Sequence, residues 1–166
     1  MSRPALRVLP ALAAFAAGAA ACSVEAPPCR VDPDLVDERR SNSLCIVRGG
    51  DRVLATIHRF SGKLDLPGGR REGDETGQCT AHRELWEETG LDATVGELLI
   101  ERNSTLLFDC RLPPSVDASR KISVPPWAHL EVAGIEWIDP AEQDPGDWRF
   151  PQELETLRLA LDRADN

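Results

Sequence analysis

The chain lacks an excess of basic residues, because 19 lysines and arginines stand against 28 aspartates and glutamates among its 166 residues. The formal net charge of −9 argues against a nucleic-acid-binding surface, which would be basic. A phosphorylated small molecule is not excluded as a substrate, since bound metal ions can supply positive charge locally.

Three further absences narrow the class of protein. No Cys-x-x-Cys pair occurs, which disfavours a zinc site. The alanine-rich apolar stretch at residues 8–21 falls short of the roughly 20 residues that span a bilayer. Tyrosine is absent and phenylalanine occurs four times, so we expect most of Trp127, Trp137 and Trp148 to fill the core instead of stacking on a base.

The first 21 residues are predicted to be a signal peptide, with a basic start at Arg3 and Arg7, a short apolar stretch and small residues at the cleavage site. Residues 19–22 read Ala-Ala-Ala-Cys. They resemble a bacterial lipoprotein box, although alanine replaces the usual leucine, and Cys22 would then be lipidated. We expect an exported protein of the periplasm or cell envelope, tethered to a membrane through Cys22. A freely secreted protein is the alternative.

Four cysteines remain if Cys22 is lipidated, and an even number suits an oxidising compartment. Three pairings are possible. We predict a disulfide between Cys29 and Cys45, which would pin the N-terminal segment to the first strand. A second, between Cys79 and Cys110, would tie the start of a helix to a neighbouring strand. Buried free thiols are the alternative.

The rest of the chain divides into a lead-in and one domain. Residues 22–41 are polar and proline-bearing, which is typical of a tether or an irregular lead-in, and residues 42–166 can form a single domain with its own core. Apolar periodicity and turn residues predict an α/β (α+β) arrangement, with strands over 42–47, 53–60, 63–66, 93–100, 105–112 and 130–138 and helices over 76–89 and 154–164. Residues 113–126 form a long proline-bearing loop of the kind that often carries function.

The most informative segment is residues 69–91. It reads Gly69, five residues, Glu75, seven residues, Arg83-Glu84-Leu85, one residue, Glu87-Glu88, one residue, Gly90-Leu91. On a helix, Glu84, Glu87 and Glu88 share one face, where like charges repel. No lysine occurs between Glu72 and the end of the segment, so we expect a cation to offset the cluster. Mg²⁺ or Mn²⁺ fits, because hard cations prefer carboxylate and carbonyl oxygen. A solvent-exposed acidic helix is the alternative.

This spacing fills every fixed position of the Nudix box, G-x5-E-x7-R-E-U-x-E-E-x-G-U, where U is a bulky aliphatic residue, and the chain resembles the Nudix hydrolase family. The resemblance implies the Nudix fold, a mixed β-sheet sandwiched between helices. It also implies Mg²⁺-dependent hydrolysis of a pyrophosphate bond in a nucleoside diphosphate-linked or other small-molecule diphosphate substrate. The second hypothesis is a catalytically silent Nudix-fold binding or sensor module. Leu64 stands where many relatives have tryptophan, which weakens inference about substrate contacts near that strand.

The resemblance implies a metal site on the helix. Glu87 and Glu88 would be the core ligands and Glu84 a third. The backbone carbonyl of Gly68 or Gly69 would complete the coordination. Arg83 would orient the glutamates through ion pairs.

The resemblance also implies roles in catalysis and substrate binding. Glu88 is the first candidate for the general base and Glu131 the second, because His129-Leu130-Glu131 ahead of Trp137 resembles a late strand that often delivers an acid. Arg59 and Arg70 are candidates for binding phosphate, since arginine contacts phosphate in a bidentate manner. Gly68 lies in a glycine-rich loop whose backbone can approach a phosphate closely.

Overall fold

A computed structural model describes residues 26–118 and 120–164 of the chain. The predicted signal peptide and the lipidation site at Cys22 lie outside the described residues, so both stay predictions. Within the described ranges, no helix is both long and apolar enough to cross a membrane.

Strands and helices follow one another in the predicted order, with one additional two-residue strand in the glycine-rich loop. The strands are β1 (Asn42–Gly49), β2 (Arg52–His58), β3 (Leu64–Asp65), β4 (Gly68–Gly69), β5 (Thr94–Arg102), β6 (Thr105–Arg111) and β7 (Val132–Ile138). The helices are α1 (Gly77–Thr89) and α2 (Pro151–Ala164), and short 3-10 turns cover Pro126–Leu130 and Pro145–Asp147.

The strands form one mixed sheet in the order β3-β2-β1-β6-β5, with β4 paired to β1 and β7 paired to β2. Strands β1 and β6 run parallel over six residue pairs, from Asn42↔Thr105 to Val47↔Cys110, whereas the other named strand pairs are antiparallel. Strands β1 and β2 form a hairpin in which the two strands pair only beside their turn, at Arg48↔Val53 and Gly49↔Arg52. Beyond those pairs β1 turns to β4 and β6, and β2 turns to β7.

The alternation of side chains along β1 explains why helices cover both faces of the sheet. Leu44 and Ile46 pack with the buried residues of α2, including Leu154 and Leu157. Cys45 and Val47 point to the opposite face, where they pack with the α1 residues Ala81 and Leu85. Each fully buried leucine contributes about 1.5–3 kcal/mol relative to an exposed one. The expected fold, a mixed β-sheet sandwiched between helices, is confirmed.

Two element boundaries differ from the predicted ones for local reasons. Strand β7 begins at Val132 instead of residue 130, because Pro125 and Pro126 open a 3-10 turn that runs to Leu130. Helix α2 begins at Pro151, three residues earlier than predicted. Proline is well accommodated in the first turn of a helix, where its missing N–H has no intrahelical partner to lose.

The lead-in is attached to the domain from Cys29 onwards. Val31 forms a parallel bridge with Val95, where Asp32 N–H donates to Val95 O and Val95 N–H donates to Arg30 O, both at 2.9 Å. The buried Gln78 side chain donates to Leu35 O and to Gly96 O, and accepts from the N–H of Asp37, each at 2.8 Å. These bonds join the lead-in to both β5 and the first turn of α1.

Both predicted disulfide pairings are wrong, although the four cysteines do form two disulfides. Cys29 pairs with Cys79, and Cys45 pairs with Cys110. Cys45 and Cys110 lie on adjacent parallel strands, with a Cα–Cα distance of 5.6 Å, and both side chains are buried on the α1 face. Cys79 lies in the first turn of α1, where the lead-in crosses, so its partner is the lead-in cysteine instead of a strand cysteine.

Candidate active site

Helix α1 is defined at both ends by its own sequence. The Thr76 hydroxyl caps the N-terminus by accepting a hydrogen bond from Cys79 N–H at 3.3 Å. Gly90 ends the helix in the left-handed conformation, with φ 72° and its N–H donating to Trp86 O. Ala81 and Leu85 are buried against the sheet. The helix therefore presents its carboxylates on a fixed side of the fold.

Arg83 holds the acidic side chains of the box together. Its Nη1 donates to Glu84 Oε1 at 3.1 Å and to Glu87 Oε2 at 2.9 Å. Its Nη2 and Nε contact the two oxygens of Glu75 at 2.8 and 3.2 Å, a bidentate pair that fixes the guanidinium plane. Burial alone would lower the pKa of Arg83, but these carboxylates outweigh burial and raise it. Arg83 thus orients the carboxylates of Glu84 and Glu87 through these ion pairs.

The positive charge around Glu84 and Glu88 is too small to offset the cost of burying their carboxylates. Burial raises the pKa of Glu84, and the Arg83 guanidinium offsets only part of that effect. Burial also raises the pKa of Glu88 well above its usual range, and the neighbouring charges of Glu84 and Asp65 raise it further. Glu88 Oε2 is buried and makes no hydrogen bond within the described part of the chain. An additional cation beside these two groups would relieve an electrostatic cost.

The glycine-rich loop passes very close to the helix. A Cβ atom at Gly69 would lie 2.4 Å from Glu84 Oε1, and one at Gly68 would lie 2.4 Å from the backbone oxygen of Ser43. Gly68 and Gly69 pair with Leu44 and Ser43 of β1, which holds the loop backbone against the strand. Only glycine permits this approach of backbone to carboxylate.

These groups line a cleft of about 480 Å³. Carboxylates exceed guanidinium groups six to three along its walls, the acids being Asp65, Glu72, Glu84, Glu87, Glu88 and Glu131 and the arginines Arg70, Arg83 and Arg149. The excess of negative charge favours a cleft that takes up cations together with an anionic substrate.

The donor set fits a hard divalent cation. Glu88 supplies a buried oxygen without a partner, the Glu87 side chain is 45% exposed and accessible, and Gly69 brings backbone within reach of Glu84. Carboxylate and carbonyl oxygens are the ligands that Mg²⁺ and Mn²⁺ prefer. As the side chains stand, no three acidic, histidine or cysteine residues in the described ranges enclose a metal position, and Arg83 pairs with oxygens of Glu84 and Glu87.

The structure brings together most of the residues that the sequence singled out. Glu131 lines the cleft, and its charge contributes to the raised pKa values of Glu84 and Glu88. Arg70 lines the cleft as well. Arg59 does not: its side chain is exposed outside the cleft lining, while its N–H donates to Glu131 O at 2.7 Å. Arg59 lies in the turn that follows β2, where this hydrogen bond holds its backbone while its side chain extends into solvent.

Several cleft residues were not expected from the sequence. Arg149 reaches the cleft from the connection before α2 and donates to Asp65 Oδ2 at 3.1 Å. Burial raises the pKa of Asp65, and Arg149 offsets part of that rise. His58 also lines the cleft. The signal that could have found His58 is its period of two with Thr56 along β2, whereas no local pattern marks Arg149.

The loop, helix and sheet together define a domain that presents clustered carboxylates beside a glycine-rich turn. Known proteins share this domain. A model of the NUDIX domain matches residues 38–159. The chain belongs to the Nudix domain family. A "MutT-like protein" of Streptomyces ambofaciens is 36% identical over 103 residues, which cover 58% of this chain and 61% of that protein. The chain thus matches less than two thirds of the length of that relative.

Solved structures share the fold at low sequence identity. An ADP-ribose pyrophosphatase of Streptococcus suis is 17% identical, with a TM-score of 0.61 over 75% of this chain and 91% of that chain. A UDP-X diphosphatase is 15% identical, with a TM-score of 0.60 over 81% and 67% of the two chains. A NUDIX hydrolase of Nitrosomonas europaea is 21% identical, with a TM-score of 0.57 over 82% and 80%. At these identities the likeness concerns the fold.

Proposed function

We propose that this protein is a metal-dependent pyrophosphohydrolase that cleaves the diphosphate bond of a small molecule. The observation that carries the proposal is the buried, unpartnered Oε2 of Glu88, which lies in an acidic cleft beside Glu84 and the close-packed backbone of Gly69. A silent binding module would have no need to keep every carboxylate of the box beside such a group. The names of structural neighbours that act on ADP-ribose and on UDP-X support a diphosphate as the substrate.

Glu84, Glu87, Glu88 and the carbonyl of Gly69 would hold Mg²⁺ or Mn²⁺. When bound, the metal neutralises phosphate oxygens and makes water more acidic. Arg83 keeps Glu84 and Glu87 at the required position through its ion pairs. Glu88 is our first candidate for the group that accepts the proton of the attacking water.

The substrate would be held at the other walls of the cleft. Arg70 contacts phosphate oxygens in this scheme, and the N–H-bearing loop at Gly68 approaches them closely. Glu131 lines the same cleft, close enough for its charge to act on Glu84 and Glu88, and is the second candidate for the base. Since coupled carboxylates titrate as a group, the two candidates are separated by mutation and not by pKa.

The decisive experiment measures release of monophosphate from ADP-ribose, UDP-glucose and farnesyl diphosphate with Mg²⁺. Glu88→Gln should lower turnover by roughly 10²–10⁴-fold if it transfers the proton, without lowering the melting temperature. Glu97→Gln, an exposed glutamate outside the cleft, is the matched control and should retain full activity. Mg²⁺ binding without turnover of any substrate would refute the hydrolase and favour the binding module.

We further propose that the mature protein is exported and lipidated at Cys22. Two disulfides among the described cysteines support an oxidising compartment, where such bonds persist. Mass spectrometry of the mature N-terminus tests the proposal. A lipid-modified Cys22 is expected, and an unmodified Cys22 at or near the mature N-terminus would instead indicate a freely secreted protein.

A further inference from the structure

Phe60 is a large aromatic side chain that lies unusually open beside the cleft. It is 86% exposed in a chain with four phenylalanines and no tyrosine, and it lines the same cleft as the box glutamates. A single exposed apolar residue needs no explanation in general. This one occupies the wall of the cleft in which we place the substrate, so its position calls for a ligand group.

The turn that carries Phe60 is firmly held. Gly62 N–H donates to His58 O at 2.9 Å, and His58 N–H donates to Lys63 O at 2.8 Å, with Gly62 at φ 67°. The Ser61 hydroxyl and N–H lie 3.0 and 3.3 Å from His58 Nδ1, which fixes the imidazole. The His58 and Phe60 rings meet edge to face, with centroids 5.9 Å apart. A ring held in this way loses little conformational entropy when a ligand packs on it.

The cleft is larger and more varied than a diphosphate requires. Its volume of about 480 Å³ lies in the range of roughly 300–1,000 Å³ that is typical of sites for drug-sized ligands. Glutamates and Arg83 line the cleft from α1, whereas Thr56 and His58 line it from β2 and Phe60 lines it from the turn that follows. The polar wall suits a phosphate group, and the wall with two rings suits a planar group attached to it.

We propose that Phe60, supported by His58, determines specificity by stacking on a planar heteroaromatic ring of the diphosphate substrate. The inference rests on the proposed function and adds to it the residue that selects the non-phosphate part of the substrate. Stacking of a base on an aromatic side chain tolerates different bases, because every base presents a π-face. The site therefore distinguishes ring-bearing diphosphates from aliphatic ones more strongly than one base from another.

The variants Phe60→Leu and Phe60→Trp separate stacking from apolar contact. With ADP-ribose, Phe60→Leu should raise KM roughly ten- to hundredfold and change kcat little, whereas Phe60→Trp should retain most of the affinity. With farnesyl diphosphate, neither variant should change KM by more than a few fold. Leu130→Ser is the matched control, because Leu130 is 81% exposed near the same end of the sheet but does not line the cleft. An equal effect of Leu130→Ser, or a wild-type KM for Phe60→Leu with ADP-ribose, overturns the inference.

A binding measurement keeps this test separate from the test of catalysis. AMP titrated calorimetrically into the unaltered protein with Mg²⁺ should bind at least tenfold more tightly than into Phe60→Leu. Equal affinities, or no binding of AMP to the unaltered protein, would contradict the stacking role. Failure of turnover together with Phe60-dependent AMP binding would refute the proposed hydrolase but would support the stacking role of Phe60.

Discussion

Replacing both Cys29 and Cys79 by serine should lower the free energy of unfolding by about 4 kcal/mol. The disulfide closes a loop across a sequence separation of 50 residues, for which the chain-entropy relation gives about that value at 25 °C. Cys29 is exposed and Cys79 half-buried, so the serines leave no large cavity and bury little polar surface. Loop entropy therefore dominates the expected loss.

Thermal unfolding followed by circular dichroism measures the effect. A loss of about 4 kcal/mol corresponds to a fall in Tm of roughly 10 °C for a domain of this size. The companion variant Cys45→Ser/Cys110→Ser opens a loop of separation 65 and should cost more, because its hydroxyls replace fully buried sulfur atoms. A Tm within about 2 °C of the unaltered protein for Cys29→Ser/Cys79→Ser would refute the reasoning.

The pairing itself is checked by trypsin digestion without reduction. Each cysteine falls in a different tryptic peptide: one ending at Arg30, and those spanning residues 41–48, 72–83 and 103–111. The peptide ending at Arg30 should be linked to 72–83, and 41–48 to 103–111. A link between the peptide ending at Arg30 and 41–48 would contradict the structure.

Three further outcomes are expected. Gly69→Ala should displace the Glu84 carboxylate and cut turnover at least tenfold with little change in Tm. In Gly68→Ala the added methyl group meets the backbone oxygen of Ser43, which should cost more than about 2 kcal/mol in stability. The reverse pattern in kcat and Tm would contradict both expectations. Burial raises the pKa of Glu153 to about 7 from 4.5, so the folded state holds its proton more tightly and stability should fall as pH rises from about 4.5 to about 7. Glu153→Gln should therefore gain roughly 3 kcal/mol over the unaltered protein at pH 8 and almost nothing at pH 4, and a pH-independent difference in urea unfolding would refute it. Gln78→Ala should cost about 3 kcal/mol by urea unfolding, because three bonds to the lead-in and β5 are lost and the buried Gly96 O loses its donor. A loss below about 1 kcal/mol would show that the lead-in is held without these bonds.

The parts of the site that could be predicted from the sequence are those with local causes. Helix α1 was predicted to within one residue because its cap at Thr76 and its stop at Gly90 are signals carried by the chain itself. The convergence of Glu84, Glu87 and Glu88 follows from helical spacing alone. Arg83 and Glu75, eight residues apart, meet because the loop before the helix returns along it.

The parts that escaped prediction depend on which distant segments come together. The disulfide pairing follows from the parallel pairing of β1 with β6, and no local pattern distinguishes that neighbour from β2. Arg149 enters the cleft because Leu64 forms a bridge with its neighbour Trp148. This bridge brings Arg149 to Asp65, which lies 84 residues away in sequence. Arg59 was expected to contact phosphate, but it lies in the turn after β2, where the strand period no longer fixes the direction of a side chain.

The early attachment of the lead-in limits how far the domain could stand from a membrane. If the chain is anchored at Cys22, only seven peptide steps separate the anchor from the Cys29 disulfide. Fully extended, that stretch reaches at most roughly 25 Å. The domain would then be restricted to a shallow layer above the bilayer, within reach of molecules that diffuse along that surface.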